Sequence, residues 1–241
     1  MKKLRRFVCA LLALCAAMTL CASSLAEEAA DPKPGDVIVF GTYNQDDINS
    51  NGREPIEWLV LDVRDGKALL LSVLGLDMQF FDPSEKETDW ERCGLRGWLN
   101  KTFAEKAFTK EQLAAIPVTE VDNGRGKHIP TSTSDDPTTY DRLFLLSFME
   151  AAEYLPNRDA RRCVPTPHTK ARGVVMQEDG LEENEWTCCW WWLRSPGSDH
   201  TFAAFVYASG QLSDNRALNV APMAVRPACW LDLDAWRALN D

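Results

Sequence analysis

Four basic residues, Lys2, Lys3, Arg5 and Arg6, precede an apolar run from Phe7 to Ala22. Ser24-Leu25-Ala26 follows with small residues where a signal peptidase cuts, so the pattern predicts a leader over 1–26, cleaved after Ala26. Leu20 is too bulky for the position before a lipidated cysteine at Cys21, which favours free secretion. Residues 27–36 form a polar lead-in, and Val37–Phe40 predicts a first strand ended by Gly41. Trp58–Val63 and Ala68–Ser72 are apolar runs separated by Asp65-Gly66, a strong hairpin signal because both residues tolerate positive φ. Apolar residues at successive positions predict that both strands are covered on both faces.

The middle of the chain changes to helical spacing. Thr88-Asp89-Trp90-Glu91, Thr109-Lys110-Glu111-Gln112 and Ser147-Phe148-Met149-Glu150 each read as a capping box, in which the first and fourth side chains satisfy each other's backbone N–H. Leu95, Trp98, Leu99 and Phe103 predict one buried helix face, and Pro117 and Pro156 stop the next two helices. Asp122–Arg142 carries Gly, Pro, Ser, Thr and Asp with little periodicity and reads as a long surface loop. A second polar loop runs from Pro165 to Glu185. The last third is β-rich: Cys189–Leu193, Phe202–Ala208 with a turn at Ser209-Gly210, then Ala224–Leu231. The expectation is a single α+β domain over residues 37–235, built from short helices and antiparallel strands.

Composition narrows the partners. The chain has 241 residues, 45% hydrophobic and 26% charged, with a net charge of -10 and a pI near 4.9. An acidic balance of this size excludes a charge-driven grip on nucleic acid phosphates and on anionic lipid. No stretch reaches the roughly 18–20 uninterrupted apolar residues of a membrane span. Loss of the leader would leave Cys93, Cys163, Cys188, Cys189 and Cys229, an odd set with no CxxC spacing, which disfavours a zinc knuckle and reads as buried free thiols.

Candidate chemistry is sparse. Asp47-Ile48-Asn49-Ser50-Asn51-Gly52 has the alternating oxygens of a Ca²⁺ loop, but its twelfth position is Trp58 instead of a carboxylate. Turn chemistry is the favoured reading of this segment, with Ca²⁺ binding the alternative. His128, His168 and His200 show no metal-binding or metalloprotease spacing, and Ser195 lies in no nucleophile elbow. Trp190-Trp191-Trp192 invites sugar stacking, yet alternate strand residues face opposite sides, so at least one side is core. Arg194 and Arg226 adjoin apolar strand residues and are expected to be internal scaffolds with satisfied guanidinium groups.

Several blocks occur together in a recognisable order. They are Phe40-Gly41-Thr42-Tyr43, Pro55–Leu61, Leu95-Arg96-Gly97-Trp98-Leu99-Asn100 and Phe144-Leu145-Leu146-Ser147, then Trp191–Gly197 (WWLRSPG) and Val225-Arg226-Pro227-Ala228 (VRPA). In these the chain resembles the bacterial domain-of-unknown-function family six-two-seven-three, whose members are largely exported or envelope proteins. More remotely, Leu145-Leu146-Ser147, Arg162-Cys163-Val164-Pro165-Thr166 and the later Trp/Arg blocks are similar in order to the formylglycine-generating enzyme and C-type-lectin-like superfamily. That resemblance implies a C-type-lectin-like mixed fold with adjacent terminal strands and long loops on one side. Its oxidases hold copper with a matched cysteine pair. Cys188-Cys189 before the Trp block and Cys229 after VRPA do not match that pattern, so no catalysis is carried over.

The leading expectation is an exported, non-catalytic recognition or envelope-associated module with no cofactor, whose partner is a glycan or an envelope protein. The residues expected to bind are Asp122, Asn123, Arg125, His128, Asp135 and Asp136, in the first long loop. Trp58, Trp98, Trp191, Trp192, Arg194 and Arg226 are expected to be structural. The alternatives are an oxidase of the formylglycine-generating type working through Cys188, Cys189 or Cys229, and a purely structural envelope domain.

Overall fold

The computed structural model describes residues 31–46, 48, 50–84, 88–123, 138–177, 180, 182, 187–197, 201–217 and 221–240; the expected leader lies outside them. Asp65 and Gly66 have φ of 50° and 71°, and this turn joins β2 (Glu54–Arg64) to β3 (Lys67–Ser72) as an antiparallel hairpin. β1 (Val37–Tyr43) pairs with β2, and β11 (Ala228–Asp232) pairs with β3, giving the order β1-β2-β3-β11. The terminal strands therefore share a sheet but sit at its opposite edges.

β1 does not stop at Gly41. It runs on to Tyr43 through a bulge between Val39 and Thr42. Gly41 has φ 74°, and a Cβ there would lie 2.6 Å from the Phe108 ring and 2.8 Å from the Ala107 carbonyl, so glycine is needed to continue the strand. Ala68–Ser72 of β3 is buried at every position, as the apolar run predicts. The start of β2 instead alternates, with Ile56 and Trp58 inside and Pro55 and Glu57 outside, because only one of its faces meets the core there.

The second sheet has the order β4-β10-β7-β8-β9, from β4 (Asp77–Gln79), β10 (Met223–Val225), β7 (Trp191–Pro196), β8 (Phe202–Val206) and β9 (Leu212–Ala217). Its β10–β7 contact is parallel and its other pairings are antiparallel. The expected strand Ala224–Leu231 is in fact two strands in two sheets. Pro227 has no N–H to extend a ladder, and its carbonyl accepts from the Ser72 N–H at 2.9 Å, so the chain changes sheets at Arg226-Pro227.

Helix starts follow two of the three capping boxes. Thr109 with Gln112 caps α3 (Lys110–Ala114), and Ser147 with Glu150 caps α4 (Phe148–Tyr154), which ends before Pro156. The box at Thr88 does not form. The first helix, α1 (Gly94–Trp98), starts at Cys93, whose sulfur accepts the Arg96 N–H, while the Asp82 carboxylate accepts the Gly94 N–H at 2.9 Å. Asp89 is used instead as a partner for the Arg92 backbone and guanidinium. α1 runs through a π-helical turn, Leu99–Phe103, into α2 (Ala104–Ala107). Leu95, Leu99 and Phe103 are buried, whereas Trp98 is only half-buried, its ring 5.6 Å from that of Phe103. At about 100° per residue Trp98 lies about 60° to one side of Leu95, and Leu99 about 40° to the other, so Trp98 falls at the rim of the buried arc.

The expected Pro165–Glu185 loop contains α6 (Pro167–Ala171), begun by a Thr166 cap and Pro167 at the first helical position. α5 (Arg158–Arg161) and the C-terminal α7 (Leu233–Ala238) complete the helices among the described residues. The described ends of the Asp122–Arg142 segment are not loop. Both its ends are strands, β5 (Thr119–Asp122) and β6 (Thr138–Asp141), paired as a hairpin.

Short helices around these sheets make one compact α+β unit, Pro32–Asp241. Trp58, Trp191 and Trp192 are fully buried in its core. Each donates its indole N–H to a backbone carbonyl: Phe40 at 2.7 Å, Arg161 at 3.0 Å and Gln79 at 2.9 Å. Trp191 and Trp192 point to opposite faces, so β7 is covered on both. Among the described residues no helix is long and apolar enough to cross a membrane.

Candidate functional site

The β5–β6 hairpin is pinned at its two ends by two buried polar clusters. Arg194 of β7 is 2% exposed. Its guanidinium donates to the Leu145 carbonyl at 2.7 Å, the Asp122 carbonyl at 2.8 Å and the Glu150 carboxylate at 2.8 Å, with a second contact to Glu150. Glu150 also accepts the Ser147 N–H at 2.8 Å, so the cap of α4 doubles as the counter-ion of Arg194. Arg194 thus ties β7, the start of α4 and the end of β5 together, and it faces no solvent. Ser195, next to it, accepts the Phe148 N–H at 2.9 Å and is likewise buried.

Asp141, at the end of β6, anchors the other side. Its carboxylate accepts from Arg96 Nε at 2.7 Å, Thr139 Oγ1 at 2.8 Å and Trp90 Nε1 at 3.1 Å. Asn100 completes the clamp: its Oδ1 accepts the Arg142 and Leu143 N–H groups, each at 3.1 Å, and its Nδ2 donates to the Leu143 carbonyl at 2.8 Å. Arg142 in turn donates to the Leu113 and Ile116 carbonyls. Buried networks of this kind hold a surface feature in one geometry, although Arg194 Nε is buried without a partner and its guanidinium is not fully satisfied as expected.

Beside the Asp141 end is an open cleft of about 330 Å³, lined by Arg96, Asn100, Val118, Tyr140, Asp141 and Arg142. Tyr140 is 64% exposed and Val118 56% exposed, so a flat aromatic face and an apolar shoulder rise beside polar, largely fixed side chains. The Tyr140 hydroxyl reaches Glu120 at 3.3 Å across the hairpin.

Of the loop residues expected to bind, Asp122 is exposed at the end of β5. Asn123 is buried, and its amide donates to Thr139 Oγ1 at 2.9 Å, so it serves the hairpin itself and is not displayed on a loop. The expectation overlooked that the segment's ends alternate as strands, which turns Asn123 inward. Arg125, His128, Asp135 and Asp136 lie outside the described residues. Tyr140, Arg96, Asn100 and Asp141 were not predicted as a group. The sequence signal that could have found them is Arg96 and Asn100, four apart on one helix face beside buried Leu95 and Leu99.

A second cleft, of about 420 Å³, lies between the β1–β2 connection and α6. Its rim includes Gln45, Glu54, Leu76 and Pro167, but Gln45 is spent on Glu54 and on the Pro55 carbonyl. Close by, the Tyr43 hydroxyl donates to Asp77 at 2.5 Å and Arg172 pairs with the same carboxylate. Burial, reinforced by Asp77, pushes the Tyr43 phenol far up, so it stays protonated and holds the core.

Just before the segment read as a possible Ca²⁺ loop, Asp46 accepts from the Ile48 N–H and the Asn51 amide, and the Asn51 bond leads in drawing its carboxyl below the usual range. Asp47 and Asn49 lie outside the described residues. Among the described residues no three His, Cys, Asp or Glu side chains converge as a metal site. The five cysteines are free and buried, and burial pushes the Cys93 thiol up to about 12 and the Cys229 thiol higher still.

The family model described as Domain of unknown function (DUF6273) matches residues 65–233, from the turn before β3 through β11. No curated protein and no solved structure matches the chain. The match spans well over half of the sequence, and the chain belongs to the DUF6273 family.

Proposed function

We propose that the protein is an exported, non-catalytic recognition module that takes a glycan at the cleft beside Tyr140. The observation that carries this reading is the 64% exposure of Tyr140 on a hairpin clamped by Asp141, Asn100 and Arg194. A sugar ring offers an apolar C–H face and equatorial hydroxyl groups. An exposed phenol ring suits the first, and the guanidinium groups of Arg96 and Arg142 at the cleft edge suit the second. Pre-organisation lowers the ordering cost of binding, which matters for a small, shallow site. The leader pattern over 1–26 supports export, where cell-wall and other extracellular glycans are met.

The test is titration of the protein with a panel of soluble cell-wall fragments and oligosaccharides, with and without Ca²⁺. Saturable binding that Tyr140→Ala weakens at least ~10-fold, with an unchanged melting temperature, supports the site. Saturable binding indifferent to Tyr140→Ala moves the site elsewhere. Absence of saturable binding across the panel refutes the glycan reading. The export part predicts a secreted product whose N-terminus, read by mass spectrometry, is Glu27.

A further inference from the structure

Arg226 lies where the chain passes from the second sheet to the first, and it is 4% exposed. Its Nε donates to the Ser72 carbonyl at 2.7 Å, and its guanidinium carbon stands 5.1 Å from the centre of the Trp191 ring. Its Nη1 is buried with no hydrogen-bond partner, and among the described residues no carboxylate pairs with it. A guanidinium cannot shed its charge in a protein, so this cation needs an anion in the core.

The acidic groups that face it are thiols. Cys163 and Cys189 interact electrostatically with Arg226 and with each other, and Cys188 is the further titratable neighbour of Cys189. The two residues are joined through the backbone, Cys189 N–H to the Cys163 carbonyl at 2.7 Å, and the Cys189 sulfur also lies 3.3 Å from that carbonyl. Both sulfurs press on the same point of the opposite segment. A Cβ on Gly75 would lie 3.3 Å from the Cys189 sulfur and 3.4 Å from that of Cys163, so the missing side chain makes room for the pair. The hydrogen bond from Cys189, helped by Arg226, holds the Cys163 thiol below the usual thiol range, while burial and the neighbouring thiol push that of Cys189 up.

We infer that Cys163 and Cys189 are an oxidisable dithiol that closes to a disulfide, with Arg226 as counter-ion of the reacting Cys163 thiolate. The oxidant is a small hydroperoxide. Burial of both sulfurs bars a bulky disulfide and admits only an oxidant of a few atoms. The Cys163 thiolate attacks one peroxide oxygen, the O–O bond breaks, and the leaving alkoxide or hydroxide takes a proton to become an alcohol or water. The resulting Cys163 sulfenic acid is attacked by the Cys189 sulfur. The S–O bond breaks and hydroxide leaves with the Cys189 proton as water. Two thiols lose two electrons and the peroxide gains them. Closure consumes both ionisable thiols, so the electrostatic surroundings of Arg226 change with redox state.

The test treats the full chain with hydrogen peroxide, denatures it, alkylates the remaining thiols and maps the peptides by tandem mass spectrometry. The expected product is a Cys163–Cys189 cross-link lighter by two hydrogens, with Cys93 and Cys229 recovered alkylated. Cys163 recovered alkylated as fully as Cys229, or cross-linked to Cys188, overturns the inference. In folded Arg226→Gln the cross-link should form at least ~10-fold more slowly at neutral pH, since the thiolate is the nucleophile; an unchanged rate overturns the role of Arg226. The wild-type pH profile decides the same point where that variant does not fold. Its rate should rise in a step below the ordinary thiol value of about 8.5, and a rise confined to higher pH refutes the ion pair.

Discussion

Arg194 and Arg226 are both buried at strand ends, but they meet different partners. Arg194 faces the carboxylate of Glu150, 31% exposed at its side chain, and two backbone carbonyls. Arg226 has one carbonyl, an indole face and two thiols. The first pair locks a surface hairpin to the core with a counter-ion that water partly reaches. The second keeps its cation wholly inside, beside thiols that can gain or lose a proton. The same residue type therefore acts as a permanent tie in one place and a condition-dependent one in the other.

The largest expected effect is at the permanent tie. Glu150→Ala leaves a buried cation uncompensated and removes the α4 capping box, which should cost about 3–5 kcal/mol by urea unfolding. Cys163→Ser removes a thiol but keeps a small polar group near Arg226, and about 1–2 kcal/mol is expected. A larger loss for Cys163→Ser than for Glu150→Ala would break the comparison.

The second prediction concerns pH. The folded-state Cys163 thiol is held below its unfolded value by Cys189 and Arg226. The unfolded chain then binds more protons, so stability should rise with pH up to the ordinary thiol range near 8.5 and fall as pH drops through the folded value. Cys163→Ser should flatten this slope, measured from urea midpoints between neutral pH and about 8.5. An identical slope in the variant would show that Cys163 does not titrate there.

The smallest effect on stability is expected for changes between β5 and β6. A deletion of Thr131–Thr139 would remove Thr138 and Thr139 from β6, and Thr139 joins Asn123 to Asp141. Shortening within 125–136 spares those contacts. It should change the melting temperature little, since halving a loop alters closure entropy by only about 0.6 kcal/mol. If the loop contributes to the glycan site, binding falls while folding is kept; normal binding confines the site to the Tyr140 cleft.

Much of this architecture was legible locally. Asp65-Gly66 specifies its own turn, and Thr109 and Ser147 specify helix starts, because all the interacting groups lie within a few residues. Thr88 has the same signature and fails. Cys93 and Asp82 satisfy the first-turn N–H groups of α1 from another segment, and no local pattern reports that competition. Burial of Trp58, Trp191 and Trp192 could be expected from apolar runs, whereas the half-exposure of Trp98 depended on which arc of α1 met the sheets.

The candidate sites divide the same way. By itself the sequence determined the α+β class, the hairpin and two helix caps, and it marked Arg194 and Arg226 as scaffold residues, because propensity, turn chemistry and hydrophobic period act over a few positions. Tertiary structure alone decided that Asn100 and Arg96 clamp a segment some forty residues away, that Asn123 turns inward, and that Cys163 and Cys189 meet beside Gly75 while Arg226 is buried against Ser72 and Trp191. Those contacts join segments far apart in the chain, and their energies depend on which groups burial strips of water together.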